Sequence, residues 1–145
     1  MNLRGIKHIP LDRAPGQAFD AVTLEADERN LRRKLIVTDG GLEVLVDLGL
    51  PTYFEDGDHL ELQDGRYVEI LAAEEELYEI TGVSPAHLVQ LAWHIGNRHL
   101  PAQLDYDRIF IKRDPVIRDM LIKRHAVVND VRAPFDPAQG AYHGH

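Results

Sequence analysis

The chain contains no cysteine and only one serine, Ser84, in 145 residues. Without cysteine there is no disulfide framework, no thiolate nucleophile, no iron–sulfur cluster and no structural zinc site of the usual kind, so any metal must be held by nitrogen and oxygen. The single serine stands directly before Pro85, where a helix N-cap belongs, which leaves no serine for a Ser-His-acid hydrolase. Basic residues are also few, with 16 lysines and arginines against 24 acids and a formal charge of −8. That balance argues against nucleic acid or an anionic membrane as the main partner, and the run Arg32, Arg33, Lys34 is too short to reverse it. No apolar run approaches the roughly 20 residues needed to span a bilayer. Met1 to Gly5 leads into no signal-peptide hydrophobic region, so a cytoplasmic protein is expected.

What is present reads as two halves. The 44% hydrophobic content is ordinary for a globular protein with a real core. From Gln17 to Leu71 the pattern is short and alternating, with turn signals at Asp39-Gly40-Gly41, Asp56-Gly57-Asp58 and Asp64-Gly65. Val44, Val46 and Leu48 alternate with Leu45 and Asp47, and His59–Leu62 with Tyr67–Leu71 flank a two-residue Asp64-Gly65 turn, so this half is expected to be an antiparallel β domain. After Ala73 the period changes. Leu77–Ile80 reads as a strand, Ser84–Ile95 as a helix, Gln103–Asp107 and Arg108–Lys112 as strands, Pro115–Arg124 as a helix and Val127–Val131 as a strand. This βαββαβ order is that of a ferredoxin-like α+β fold. Beyond Pro134 the composition turns to Pro, Gly, Ala and Gln, which reads as a short flexible tail. The expected organisation is therefore an all-β domain over residues 1–72, a ferredoxin-like domain over 73–134 and a histidine-bearing tail over 135–145. Charge divides at the same place, with 8 bases and 14 acids before residue 73 and 8 and 10 after it.

Six of the eight histidines, all but His8 and His59, lie in the second half. A neutral imidazole offers a lone pair near neutral pH and is the commonest metal ligand, so this clustering points to a transition-metal handler. On a helix, His87 and His94 are seven residues apart and share a face with Gln90, while Leu88, Leu91, Ala92 and Ile95 form an apolar stripe. For His87 and His94 a surface or core-edge role is the expectation. Gly96 and Asn97 tolerate the left-handed conformation that ends many helices, and a break there lets His99 project from the first loop residue. Trp93 is expected in core or interface packing, His125 as a cation at a helix C-terminus, and Arg98 in local or interface hydrogen bonds.

The stretch Ala92-Trp93-His94-Ile95-Gly96-Asn97-Arg98-His99-Leu100-Pro101 resembles the signature segment of the UreE family of urease accessory proteins, which are nickel metallochaperones. Asp39-Gly40-Gly41-Leu42-Glu43-Val44 with Val46-Asp47-Leu48 resembles the family's N-terminal segment. Pro134-Phe135-Asp136-Pro137 followed by Gly140-Ala141-Tyr142-His143-Gly144-His145 resembles its C-terminal ending. The resemblance implies a first domain like the peptide-binding domain of an Hsp40-type chaperone and a second that is the ferredoxin-like metal-binding domain. It implies that His99 binds Ni²⁺ at a homodimer interface and that His143 and His145 supplement it. It also implies urease apoprotein and the urease accessory GTPase as partners, with nickel insertion into urease as the purpose and no enzymatic activity. Zn²⁺ or Cu²⁺ can bind such a site in vitro, because nitrogen donors do not exclude them on affinity alone. Where some relatives carry extra histidines before the second helix, this chain has Arg113-Asp114-Pro115-Val116, so no auxiliary site is expected there and few metals per dimer. Two other classes compete with this expectation. One is a peptide-binding or scaffold module with incidental histidines. The other is a zinc-dependent hydrolase, which would need about three convergent ligands and a general base, and no His-Glu-x-x-His string is present.

Overall fold

In the first half, alternation of side chains along each strand decides which face is buried. Val44 and Val46 are fully buried while their neighbours Leu45 and Asp47 are only partly so, as period-two patterning requires of a sheet with one covered face. The fold is described from a computed structural model over residues 3–14 and 16–139, which divide into two units between Ala73 and Glu74. The first unit holds β1 (Leu3–Ile9), β2 (Asp20–Leu24), β3 (Asn30–Val37), β4 (Glu43–Tyr53), β5 (His59–Leu62) and β6 (Tyr67–Ala72). They form one sheet in the order β2-β6-β5-β1-β4-β3.

This sheet is mixed and not antiparallel as expected: β1 runs parallel to β4, and β2 parallel to β6. Both parallel pairs join segments far apart in sequence, whereas the turn signals report only adjacent strands. The β5–β6 hairpin forms as expected, but its loop spans Gln63–Arg66, closed by the Leu62 N–H to the Arg66 carbonyl at 2.8 Å, with Gly65 at φ 90°. Although β2 and β3 end the strand order on opposite sides, the Asp39 N–H donates to the Ala21 carbonyl at 2.7 Å, and Val22 and Ile36 share one core. The sheet is therefore curled on itself around Val22, Leu31, Val44, Val46, Phe54, Leu60 and Ile70.

The second unit holds β7 (Glu74–Thr81), α1 (Pro85–Asn97), β8 (Gln103–Leu104), β9 (Ile109–Lys112), α2 (Pro115–Lys123) and β10 (Val127–Pro134). The sheet order β10-β7-β9-β8 with antiparallel neighbours is the ferredoxin-like arrangement. Both helices start alike. The Ser84 hydroxyl accepts the His87 N–H at 3.1 Å ahead of Pro85, and the Asp114 carboxylate accepts the Val116 and Ile117 N–H groups ahead of Pro115. Each helix lays its apolar stripe on the sheet: Leu91 and Ile95 from α1 and Ile117 and Leu121 from α2 pack over Tyr78, Ile80, Ile109 and Ile111. β8 is shorter than expected, because the Asp105 N–H bonds to the Arg108 carbonyl and turns Asp105–Asp107 into the β8–β9 connection.

The segment expected as a flexible tail begins as ordered chain. Phe135 is fully buried, the Asp136 N–H donates to Gln103 Oε1 at 2.9 Å and the Ala138 N–H donates to the Ala102 carbonyl at 2.8 Å. Among the described residues no helix is long and apolar enough to cross a membrane.

Candidate functional site

The Gly96–His99 segment ends α1 in a way that local signals misplaced. Gly96 and Asn97, expected to break the helix, are its last turn, and Arg98 is the C-cap. The left-handed residue is His99 itself, at φ 57°, with its N–H on the Gly96 carbonyl at 3.0 Å. A residue bearing a Cβ carries a cost of roughly 1–2 kcal/mol in that conformation, and histidine is among the side chains found there more often than most. The strain sits on the residue that the resemblance nominates as the metal ligand, a placement typical of functional sites. The His99 side chain is exposed and makes no hydrogen bond to the other described residues.

His87 is occupied. Its Nδ1 accepts the Val83 N–H at 3.0 Å, which leaves the proton on Nε2, donated to the Arg124 carbonyl at 2.7 Å. The ring thus ties the start of α1 to the C-cap of α2, and neither nitrogen is left for a metal. His94 is half-buried with its ring edge-on to Trp93, centroids 5.0 Å apart. Trp93 is not in the core: it is 63% exposed and aligns with Val89, 69% exposed, one turn earlier. His125 follows the α2 C-cap at φ 68°, near the helix C-terminus where a cation was expected.

His143 and His145 lie outside the described residues. The chain is described as far as Gln139. The bond between Ala138 and Ala102 brings the tail to a point three residues from His99, a separation of at most roughly 11 Å of chain. From Ala138 to His143 is five residues, or up to roughly 18 Å when extended. Chain length therefore permits a tail imidazole to meet His99. Composition alone had offered no signal for this docking. A closer reading of Phe135, a large apolar residue in a polar and proline-rich stretch, could have found it.

The only group of three or more acidic or imidazole ligands gathered among the described residues is Glu25, Asp27 and Glu28 in the first unit. It is exposed and contains no imidazole, and Glu25 and Glu28 are engaged in a reciprocal capping box. His99 alone offers one donor, so a metal site built on it needs others, from the tail or from a second copy.

Comparison with known proteins agrees with the signature segment. Residues 2–73 match the UreE urease accessory protein N-terminal domain, and residues 75–145 match the UreE urease accessory protein C-terminal domain. The urease accessory protein UreE of Brucella anthropi is 60% identical over 121 residues, covering 83% of this chain and 71% of that protein. The urease accessory protein UreE 1 of Brucella suis biovar 1 is 57% identical over 123 residues, 85% of this chain and 76% of the relative. The urease accessory protein UreE of Rhizobium etli is 48% identical over 142 residues, 98% of this chain and 70% of the relative. With both domains matched in order and the Gly96-Asn97-Arg98-His99 string at the helix exit, the chain belongs to the UreE family of urease accessory proteins.

Proposed function

We propose that this protein is a nickel metallochaperone of the cytoplasm that carries Ni²⁺ to apo-urease for active-site maturation, working as a homodimer with the urease accessory GTPase. The observation that supports this reading is His99, exposed and left-handed at the end of the Gly96-Asn97-Arg98-His99 string, with the described chain returning at Ala138 to Ala102, three residues away. One imidazole cannot hold a divalent ion selectively. A two-fold axis passing near His99 doubles it, because an isologous interface presents each residue twice. The exposed strip of Val89 and Trp93 on the same helix is apolar surface that a second copy would cover.

The chemistry suits a carrier better than an enzyme. Nitrogen donors in the order expected for divalent metals bind Ni²⁺ well, and a site built on the solvent-exposed His99 permits release to the next protein. Binding requires neutral imidazoles, so nickel uptake releases protons and weakens as pH falls.

Calorimetric titration of the dimer with Ni²⁺ tests the reading. The expected results are stoichiometric binding, its collapse in folded His99→Ala, a weaker and smaller uptake on removal of Tyr142–His145, and no turnover of esters, amides or phosphates by the loaded protein. Wild-type nickel affinity in folded His99→Ala protein would overturn it.

A further inference from the structure

The cations of the second unit sort by layer. Those in or next to the strands are ion-paired: Arg108 with Glu79 at 2.8 Å, Lys112 with Glu75 at 3.4 Å, Arg113 with Glu76 at 4.0 Å and Arg132 with Glu74 at 3.5 Å. Those of the helical layer, Arg98, Arg118, Lys123 and Arg124, are exposed, and their side chains have no ion pair among the described residues. Carboxylates are scarce there. No acid occurs from Gly82 to Leu104, and of Asp114 and Asp119 around α2 the first is engaged in capping the helix.

Three of these four cations meet at one place. Arg98, Lys123 and Arg124 line a recess of about 610 Å³ between the end of α1 and α2, together with Val116, Asp119 and Met120. The plainest account of them is dipole complementation, since Arg98 and Arg124 are the C-caps of the two helices and Lys123 ends α2. Each helix C-terminus carries only about half a negative charge, however, so two of them and the Asp119 carboxylate still leave the three cations in excess. The lining is also partly apolar, with Val116 70% exposed and Met120 half-buried. A small anion such as phosphate makes no use of that apolar surface, and a nucleic acid would meet a chain of net charge −8. A peptide segment with carboxylates around one apolar side chain uses both parts of the lining.

We infer that this recess docks an acidic segment of a partner protein, with its carboxylates on Arg98, Lys123 and Arg124 and an apolar side chain on Val116 and Met120. The net charge repels such a partner over the molecule as a whole, so the local reversal of sign sets where it lands. Arg98 adjoins His99 in sequence, which places the docked segment beside the residue that offers the metal. The docking rests on charge and lining alone, whereas its purpose, hand-over of the metal, rests on the nickel-carrier reading above.

The test is fluorescence anisotropy of a labelled pentapeptide, Glu-Glu-Leu-Glu-Glu, with the metal-free full chain, and with Gln-Gln-Leu-Gln-Gln as the control peptide. Saturable binding below about 1 mM is expected for the acidic peptide alone, weakening as NaCl rises from about 0.05 to 0.5 M. An exposed ion pair is worth about 1.4- to 5-fold in affinity, so Lys123→Gln/Arg124→Gln is expected to weaken the peptide by roughly 2- to 25-fold. Asp119→Asn, which removes a like charge, is expected to tighten it by about 1.4- to 5-fold. A merely structural role of these exposed residues would not produce opposite signs, and circular dichroism checks the fold of each variant. No saturable binding to the folded wild type, or equal affinity in the double variant, overturns the inference. So does tighter binding of inorganic phosphate or of a single-stranded oligonucleotide, or a monomer–dimer equilibrium shifted in the double variant with no peptide bound by the wild type, which would assign the recess to contacts between copies. Nickel titration of the double variant keeps the two readings apart: its nickel affinity is expected to equal that of the wild type, and a wild-type chain that takes up no nickel overturns the carrier reading while the peptide result stands.

Discussion

His99→Gly separates the two properties that the structure combines in one residue, strain and ligand chemistry. At φ 57° the histidine Cβ costs roughly 1–2 kcal/mol, and glycine adopts that conformation without it. Glycine in turn gains freedom in the unfolded chain worth about 0.4–1 kcal/mol. The balance leaves His99→Gly more stable than His99→Ala by about 1 kcal/mol, because alanine keeps the strain and has no other contact to lose. For a domain of this size that is a difference of roughly 4 °C in melting temperature. The assay is thermal unfolding of the two metal-free variants in the presence of a chelator, at one fixed protein concentration so that dimerisation does not enter the comparison. Both variants should lose high-affinity nickel binding in parallel titrations. A glycine variant that melts with the alanine variant, or below it, would refute the assignment of strain to this position.

Three further outcomes follow from other contacts. His87→Ala should cost about 1–2 kcal/mol by leaving the Val83 N–H and the Arg124 carbonyl without their partner, with nickel affinity unchanged; weaker nickel binding in the folded variant would contradict it. Gly5→Ala should destabilise the first unit by about 1–3 kcal/mol, because an added Cβ would stand 2.5 Å from Leu60 Cδ2 in the core; an unchanged urea midpoint would contradict the close approach. The Arg108 guanidinium hydrogen-bonded to Asp107 holds that carboxyl below its ordinary value near 3.8, and Arg4 and Arg66 do the same for Asp47 and Asp64. A carboxyl lowered in the folded state contributes stability that is complete above its unfolded value and lost as pH falls through its folded one. Stability should therefore fall below about pH 4, and Asp107→Asn should flatten that acid limb in urea titrations between about pH 5 and 2.5.

The residues themselves carried the local architecture. Ser84-Pro85 and Asp114-Pro115 announce two capped helices, the stripe of Leu88, Leu91, Ala92 and Ile95 names the face that α1 buries, and alternation at Val44 and Val46 orients β4. Such signals are short-range and need no knowledge of partners. The Gly96-Asn97-Arg98-His99 string was equally legible, as was its family. Tertiary structure decided what depends on distant contacts. The parallel pairing of β1 with β4 and of β2 with β6 joins strands that no turn connects. The left-handed turn falls on His99 because α1 continues through Gly96 and Asn97, and local preference at those two residues was outweighed by the helix they complete. The start of the tail docks because the Asp136 N–H finds Gln103 Oε1 and the Ala138 N–H finds the Ala102 carbonyl, acceptors more than thirty residues away in sequence, with Phe135 buried beside them in the chain. A flexible composition sets how readily a segment orders, but only the surface it meets determines whether it does.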